Sequence, residues 1–168
     1  MEYILSKDIL EEIQTFLENI YQYSKDPTRQ APTRSAETLE RCEDMSEILR
    51  LVRATVQRTL GESGSGIVLS FQDLPLQVGA YHPVGSNQII LNQRLLNTAW
   101  NRLQTQREMN SFIFSIVLHE YLHTLGYLHE YQVRQLVYEI TVRTFGEDHP
   151  ATTMARYGPW YALAQNVN

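Results

Sequence analysis

The chain has one cysteine, no long apolar run, no excess of basic residues and no repeated or low-complexity segment. The single cysteine, Cys42, excludes an intrachain disulfide, and this favours a reducing, cytoplasmic setting. The apolar runs are too short to cross a membrane, and the first residues lack the profile of a secretion signal. A formal net charge of −5 offers no basic surface to nucleic acid. We therefore expect a cytoplasmic protein with neither a membrane nor nucleic acid as a partner.

Three of the five histidines lie in residues 119–130, which read HEYLHTLGYLHE. His119 and His123 are four residues apart, so on a helix they lie on one face and can bind one metal ion. Gly126 follows where the helix could end, because glycine accepts the left-handed conformation of many helix ends. A turn there could bring His129 back as a third ligand. Three protein ligands leave a fourth position for water, which is typical of a catalytic zinc site.

The helix that carries this motif is predicted to be buried. Residues 109–125 are apolar on almost every side, which is typical of a central helix. Two imidazoles and the Glu120 carboxylate would be costly to bury there without partners. A metal ion supplies the partner, and Glu120 lies beside the histidine face, where it could handle a proton on a metal-bound water.

Apolar periodicity predicts a chain of helices interrupted by a few strands. The helices are expected at about residues 6–23, 35–60, 107–125 and 131–145, with a linker at residues 25–33. The strands are expected at residues 67–71, 76–81 and 88–91. Residues 146–158 are expected to be irregular, with a short helix closing the chain.

These elements predict one α+β domain. We expect a small mixed sheet of about three or more strands, a central active-site helix, helices at the N-terminus and a mostly helical C-terminal part. The N-terminal helical segment would span residues 1–64, and the strands with the active-site helix residues 65–126. The remaining residues 127–168 would supply the third ligand.

The motif H-E-x-x-H-x-x-G-x-x-H resembles the signature of the metzincin zinc metallopeptidases. The match falls on His119, Glu120, His123, Gly126 and His129, and the resemblance extends over roughly residues 77–157. It implies one catalytic Zn²⁺ ion held by the three histidines. It also implies a peptide or protein substrate, with internal cleavage favoured over terminal cleavage.

Metzincins also have a methionine turn beneath the metal. Met154, 25 residues after His129, lies in a segment that resembles this turn and would form a hydrophobic base under the imidazoles. Tyr157 follows it and is a candidate donor to the oxyanion, since a tyrosine approaches the metal in some members of the family.

The resemblance implies a hydrolytic mechanism. Zinc with three neutral imidazoles lowers the pKa of its bound water toward roughly 7 and polarises a carbonyl oxygen. Glu120 would act as the general base and later as the general acid for the leaving amine. An extended substrate could pair with an exposed sheet edge, for which residues 77–81 are the candidate.

Two alternatives remain open. In a gluzincin-like minimal peptidase the third ligand would be Glu139, on the helix that follows the motif. In a regulatory module the zinc would be retained without any cleavage. The N-terminal 35 residues could also cover the cleft as a prosegment. Neither the substrate nor the oligomeric state can be inferred.

We also make predictions for residues outside the proposed ligand set. His82 and His149 are expected to lie at the surface or to cap a helix, with a place near the cleft as the alternative. Glu130 could anchor a buried amine or arginine near the third ligand or be a solvated charge. Cys42, in a charged segment, is not expected to bind the zinc.

Overall fold

The computed structural model describes residues 33–165. The helix predicted at residues 6–23 and most of the predicted linker and prosegment lie outside the described residues. Within the described range no helix has the length and apolar character needed to cross a membrane.

The described chain forms seven helices and three strands, so the predicted α+β class is confirmed. The helices are α1 (Arg34–Arg41), α2 (Met45–Leu60), α3 (Gln93–Arg102), α4 (Gln106–Thr124), α5 (Glu130–Phe145), α6 (Pro150–Tyr157) and α7 (Pro159–Gln165). The strands are β1 (Val68–Gln72), β2 (Ala80–Tyr81) and β3 (Gln88–Asn92).

Two predictions of secondary structure were wrong, and one helix was missed. The helix expected at residues 35–60 is two helices, because Asp44 begins a new one by accepting a hydrogen bond from the Glu47 amide at 2.9 Å. Helix α3 was not predicted between the last strand and the motif. Residues 150–157, expected to be irregular, form α6, which begins with Pro150 in its first turn.

The sheet is small and mixed, with the strand order β1-β3-β2. Strand β1 pairs in parallel with β3, so that Leu69 lies opposite Ile89. Strand β2 pairs antiparallel with β3, so that Tyr81 lies opposite Ile90. The segment predicted as a candidate edge, residues 77–81, therefore includes β2, one of the two edge strands of this sheet, although only its last two residues are strand.

Helix α4 packs against both the sheet and the other helices, including α2, α5 and α6. A capping box begins it, in which the Thr105 hydroxyl accepts from the Glu108 amide and the Glu108 carboxylate accepts from the Thr105 amide. Its next three turns are buried almost completely. The histidines of the motif come at its last two turns, where the helix reaches the surface.

Asn92, at the end of β3, fixes the chain that leads into β2. Its fully buried amide nitrogen donates to the carbonyl oxygens of Leu74, Pro75 and Val78, at 3.2, 2.9 and 2.8 Å. Its own backbone amide donates to the Gly79 carbonyl at 2.9 Å. Because a buried amide with all its partners is rigid, the loop before the edge strand is held in one place.

Candidate metal centre

A tight turn ends α4 and returns the chain toward its last histidines. Gly126 has a φ of +99°, which favours glycine. The Gly126 amide donates to the His123 carbonyl at 3.1 Å, and the Tyr127 amide donates to the Leu122 carbonyl at 3.3 Å. These two bonds define a Schellman motif. The predicted role of Gly126 as the stop of this helix is therefore confirmed.

His119, His123 and Glu130 converge just beyond this turn. Their candidate ligand atoms all lie within 4.8 Å of one another, so the group could hold a metal ion. One oxygen of the Glu130 carboxylate lies 3.1 Å from Nε2 of His119, and the other lies 2.9 Å from Nε2 of His123. The two rings stand nearly perpendicular, 5.0 Å apart. Both predicted histidines of α4 thus face one point, as their spacing required.

The surroundings of His123 fit a cation. Its Nδ1 lies 2.7 Å from the Tyr127 carbonyl oxygen, so Nδ1 must carry the proton that this bond needs. In a neutral ring Nε2 then presents a lone pair, which faces a Glu130 oxygen at 2.9 Å. Two lone pairs at that distance repel, unless a second proton or a metal cation lies between them. A backbone carbonyl on the far nitrogen is also the usual support of a metal-binding histidine.

His119 is biased toward the form that binds metals. Burial, the largest influence, lowers the pKa of its imidazole, although the nearby Glu130 carboxylate opposes this. Because only the neutral imidazole offers a lone pair, a lowered pKa keeps His119 available as a ligand.

The third member of the metal group is Glu130, in the first turn of α5, and not the predicted His129. Glu130 is the first residue of this helix, where the helix dipole favours a carboxylate. His129 precedes it as the N-cap residue, exposed and without a capping hydrogen bond from its side chain. Among residues 33–165, neither His129 nor Glu139 joins the group, and Glu139 is paired with Arg143 at 2.6 Å.

Glu120 lies beside the two histidines on α4 and is 9% exposed. Burial raises the pKa of its carboxyl to about 7, with a further rise from the Glu130 charge. His123 and the backbone N–H of His82, which donates to this carboxyl, act in the opposite direction. A carboxyl that titrates near neutral pH can both accept and return a proton.

The predicted support residues have different surroundings. Met154 is 3% exposed and belongs to the core, but it lies in α6, which packs against α4, and not in the predicted turn. Tyr157, the last residue of α6, is 58% exposed, and its ring lies 4.9 Å from that of Tyr161. The Arg156 guanidinium lies 5.8 Å from the Tyr157 ring. The structure thus places Met154 in the core and Tyr157 at the surface.

His149, His82 and Cys42 differ in their burial and their hydrogen bonds. His149 caps α6 by accepting from the Ala151 amide at 3.1 Å, as predicted, but it is buried. His82 is half-buried, and its Nδ1 lies 2.9 Å from the Gln88 carbonyl oxygen. Cys42 is buried and donates to the Thr38 carbonyl, and burial raises the pKa of its thiol. It takes no part in the metal group of the described residues.

Two contributions to this site were missed from the sequence. Glu130 was expected to anchor an amine or arginine or to be solvated, although a carboxylate seven residues after His123 is a sequence signal once the chain turns back at Gly126. The His82 amide that faces Glu120 has no sequence signal, because any residue except proline supplies a backbone N–H.

Comparisons with models of protein families, with curated proteins and with solved structures found no match. The function must therefore be inferred from the residues of the site and their geometry.

Proposed function

We propose that this protein is a zinc-dependent peptidase, with peptides or proteins as substrates and internal bonds as the favoured cleavage points. The observation that carries the proposal is the convergence of His119, His123 and Glu130 beside the buried Glu120. A metal group alone is compatible with a structural site. A buried carboxyl with a pKa of about 7 next to it supports catalysis, because a structural site has no use for such a group.

Zinc is the ion that this ligand set fits best. Two histidines and a glutamate form one of the ligand sets of catalytic zinc sites, and they leave one coordination position open. A zinc ion held there would supply a Lewis acid, which polarises a carbonyl and lowers the pKa of water. The family resemblance favours His129 as the third ligand, whereas the geometry favours Glu130, and the two residues are adjacent.

Glu120 is proposed to move the proton in the reaction. Its carboxylate lies beside the two histidines, where it can take a proton from the attacking water and return it to the leaving amine. The His82 N–H donates to this carboxyl and orients it. In this way α4 holds the proton carrier, and the chain after β2 holds it in position.

The edge of the sheet offers a place for an extended substrate. The Gly79 carbonyl faces β3, because it accepts from the Asn92 amide. In an antiparallel pair successive residues point their N–H and C=O groups alternately toward and away from the partner strand. The N–H and C=O of Ala80 and the N–H of His82 therefore point away from β3, and the latter reaches Glu120. A peptide that paired with Ala80 would lie beside the proposed proton carrier.

Replacing Glu120 with glutamine tests the proposal. The amide keeps the size of the side chain and an oxygen that can accept from His82, but it cannot transfer the proton. We expect the Glu120→Gln variant to lose about 10²–10⁴-fold in cleavage of a mixed peptide library, with unchanged zinc content. Cleavage is measured by mass spectrometry, and zinc by elemental analysis.

The matched control is Glu139→Gln, which changes a carboxylate on the neighbouring helix. It should retain both activity and zinc, and a loss of zinc would favour the gluzincin-like alternative. A wild-type chain that binds zinc, yet cleaves no peptide faster than Glu120→Gln does, would refute the peptidase and favour the non-cleaving module.

A further inference from the structure

An exposed tryptophan is fastened to the chain that leads into the edge strand. The indole Nε1–H of Trp160, on α7, donates to the Leu76 carbonyl oxygen at 3.1 Å. The same ring lies over Gly79, where a Cβ atom would come within 3.1 Å of its Cη2 atom. Only glycine fits under the ring without displacing it. The ring is therefore held in place, although 41% of Trp160 is exposed.

The ring belongs to an apolar surface beside the outer edge of β2, which pairs only with β3 in the described part of the chain. Leu76 and Val78, in the same loop, are also exposed. Two hydrogen bonds from Asn92 hold the loop beneath them. Its side-chain amide donates to the Val78 carbonyl, and its backbone amide donates to the Gly79 carbonyl. A fixed, exposed indole ring beside a sheet edge is suited to bind an apolar side chain, since its position is set before binding.

We propose that Trp160, with Leu76 and Val78, selects a bulky apolar side chain in the substrate. This inference rests on the proposed peptidase function, and it adds a specificity that the metal group does not provide. The occupant is an extended peptide paired with the edge at Ala80, because Gly79 under the indole ring and His82, the Glu120 partner, directly flank the two residues of edge strand β2.

The spacing along the edge sets the position of the selected side chain. Gly79 and His82 are three residues apart, which in an extended chain is about 10 Å. An extended substrate advances by the same distance per residue. The side chain that meets Trp160 therefore belongs about three residues from the cleaved bond, on one side of it only.

Peptide profiling of variants tests this inference. The wild-type chain, loaded with zinc, is given a peptide library, and the cleaved bonds are aligned. We expect enrichment of bulky apolar residues by about tenfold or more at one position about three residues from the bond. Trp160→Ala should abolish that enrichment and leave the remaining positions unchanged. Trp160→Phe should retain part of it, because the ring remains and only the Leu76 bond is lost.

The matched control is Trp100→Ala, which removes the other tryptophan, exposed on α3. It should leave the profile unchanged. Cleavage with the same profile in wild type and in a folded Trp160→Ala would overturn the specificity and leave the peptidase intact. If Trp160→Ala does not fold, an unchanged profile in Trp160→Phe and in Leu76→Ser would overturn it equally.

A second measurement separates the two proposals. Binding of fluorescent peptides to the zinc-loaded Glu120→Gln variant is compared with and without Trp160→Ala. Suppose that the wild type cleaves no peptide, but apolar peptides bind and Trp160→Ala weakens their binding. This result would overturn the peptidase and support the binding surface. Absence of both cleavage and binding would overturn both.

Discussion

Two regions of the molecule hold histidines in different surroundings. At the end of α4, Nε2 of both His119 and His123 faces the carboxylate of Glu130. At the start of α6, His149 stacks on Phe145 with the ring centroids 4.7 Å apart, and one nitrogen caps the helix. Its other nitrogen is buried and has no hydrogen-bond partner among residues 33–165. His119 and His123 are thus arranged around a place for a cation, whereas the surroundings of His149 favour a neutral ring.

The contrast shows that burial alone does not identify a metal ligand. His149 is 3% exposed, more deeply buried than either histidine of the metal group. Burial lowers its pKa to about 4, and the positive charge of Arg107 lowers it further. What distinguishes His119 and His123 is the carboxylate that their Nε2 atoms share. The negative charge between the two rings attracts a cation, whereas burial and the nearby Arg107 make a positive charge on His149 costly.

Removing a histidine of the metal group should have the largest effect. Zinc sites bind with about 10–16 kcal/mol over four ligands, so one ligand contributes about 3 kcal/mol. His119→Ala and His123→Ala should each weaken zinc binding by roughly a hundredfold, measured by competition with a chromophoric chelator. His149→Asn, which keeps a good helix cap, should bind zinc as the wild type does. Equal zinc affinity in all three variants would remove the distinction between the two regions.

His149 should instead determine how stability depends on pH. Its pKa of about 4 in the folded chain lies below the ordinary value of 6.5. Between these values the unfolded chain binds a proton that the folded chain does not, so stability falls as the pH drops from 6.5 to 4. The loss is at most about 3 kcal/mol.

Urea unfolding at pH 7 and at pH 4.5 measures this loss. The wild type should lose more stability between the two pH values than His149→Asn does, because asparagine has no proton to bind. The same fall in both proteins would show that other groups cause it. Above about pH 8 the histidine is neutral in both states, so the pH dependence of the two proteins should coincide there.

The adjacent residues His129 and Glu130 should differ in how much each contributes to zinc binding. Glu130→Ala should weaken zinc binding about tenfold or more, because it removes the carboxylate that both rings face. His129→Ala should have a smaller effect, because His129 lies outside the group in the described chain. The family resemblance predicts the reverse order. Chelator competition on the two variants decides between them, and a larger loss in His129→Ala would return the third ligand to His129.

The local features of this site could be predicted from the sequence. The four-residue spacing of His119 and His123 fixes their common face, because it depends only on helix geometry. The stop at Gly126 is equally local, since the φ of +99° is intrinsic to glycine. The α+β class followed from apolar periodicity in the same way.

The remaining features depend on the path of the chain in space. Whether His129 or Glu130 faces the two rings depends on how α5 begins, and a shift of one residue exchanges them. The Glu120 partner His82 comes from a different element, 38 residues earlier in the chain. The turn expected around Met154 is a helix, because Pro150 and the His149 cap begin α6 there and its buried side pairs with α4.

Gly126→Ala should have the smallest effect and connects the helix stop to the metal group. A Cβ atom at Gly126 would meet no atom within 4 Å, so the only penalty is the backbone conformation at φ +99°. That penalty is about 1–2 kcal/mol for a residue with a side chain, which lowers the melting temperature of a chain of this size by roughly 2–8 °C.

Gly61→Ala is the matched control, because Gly61 also has a positive φ and open space but follows α2, not α4. Both variants should lose similar stability. Only Gly126→Ala should also weaken zinc binding, by less than about tenfold, because this turn places the Tyr127 carbonyl that His123 needs. Equal zinc affinity in the two variants would mean that the turn supports the fold and not the ligands.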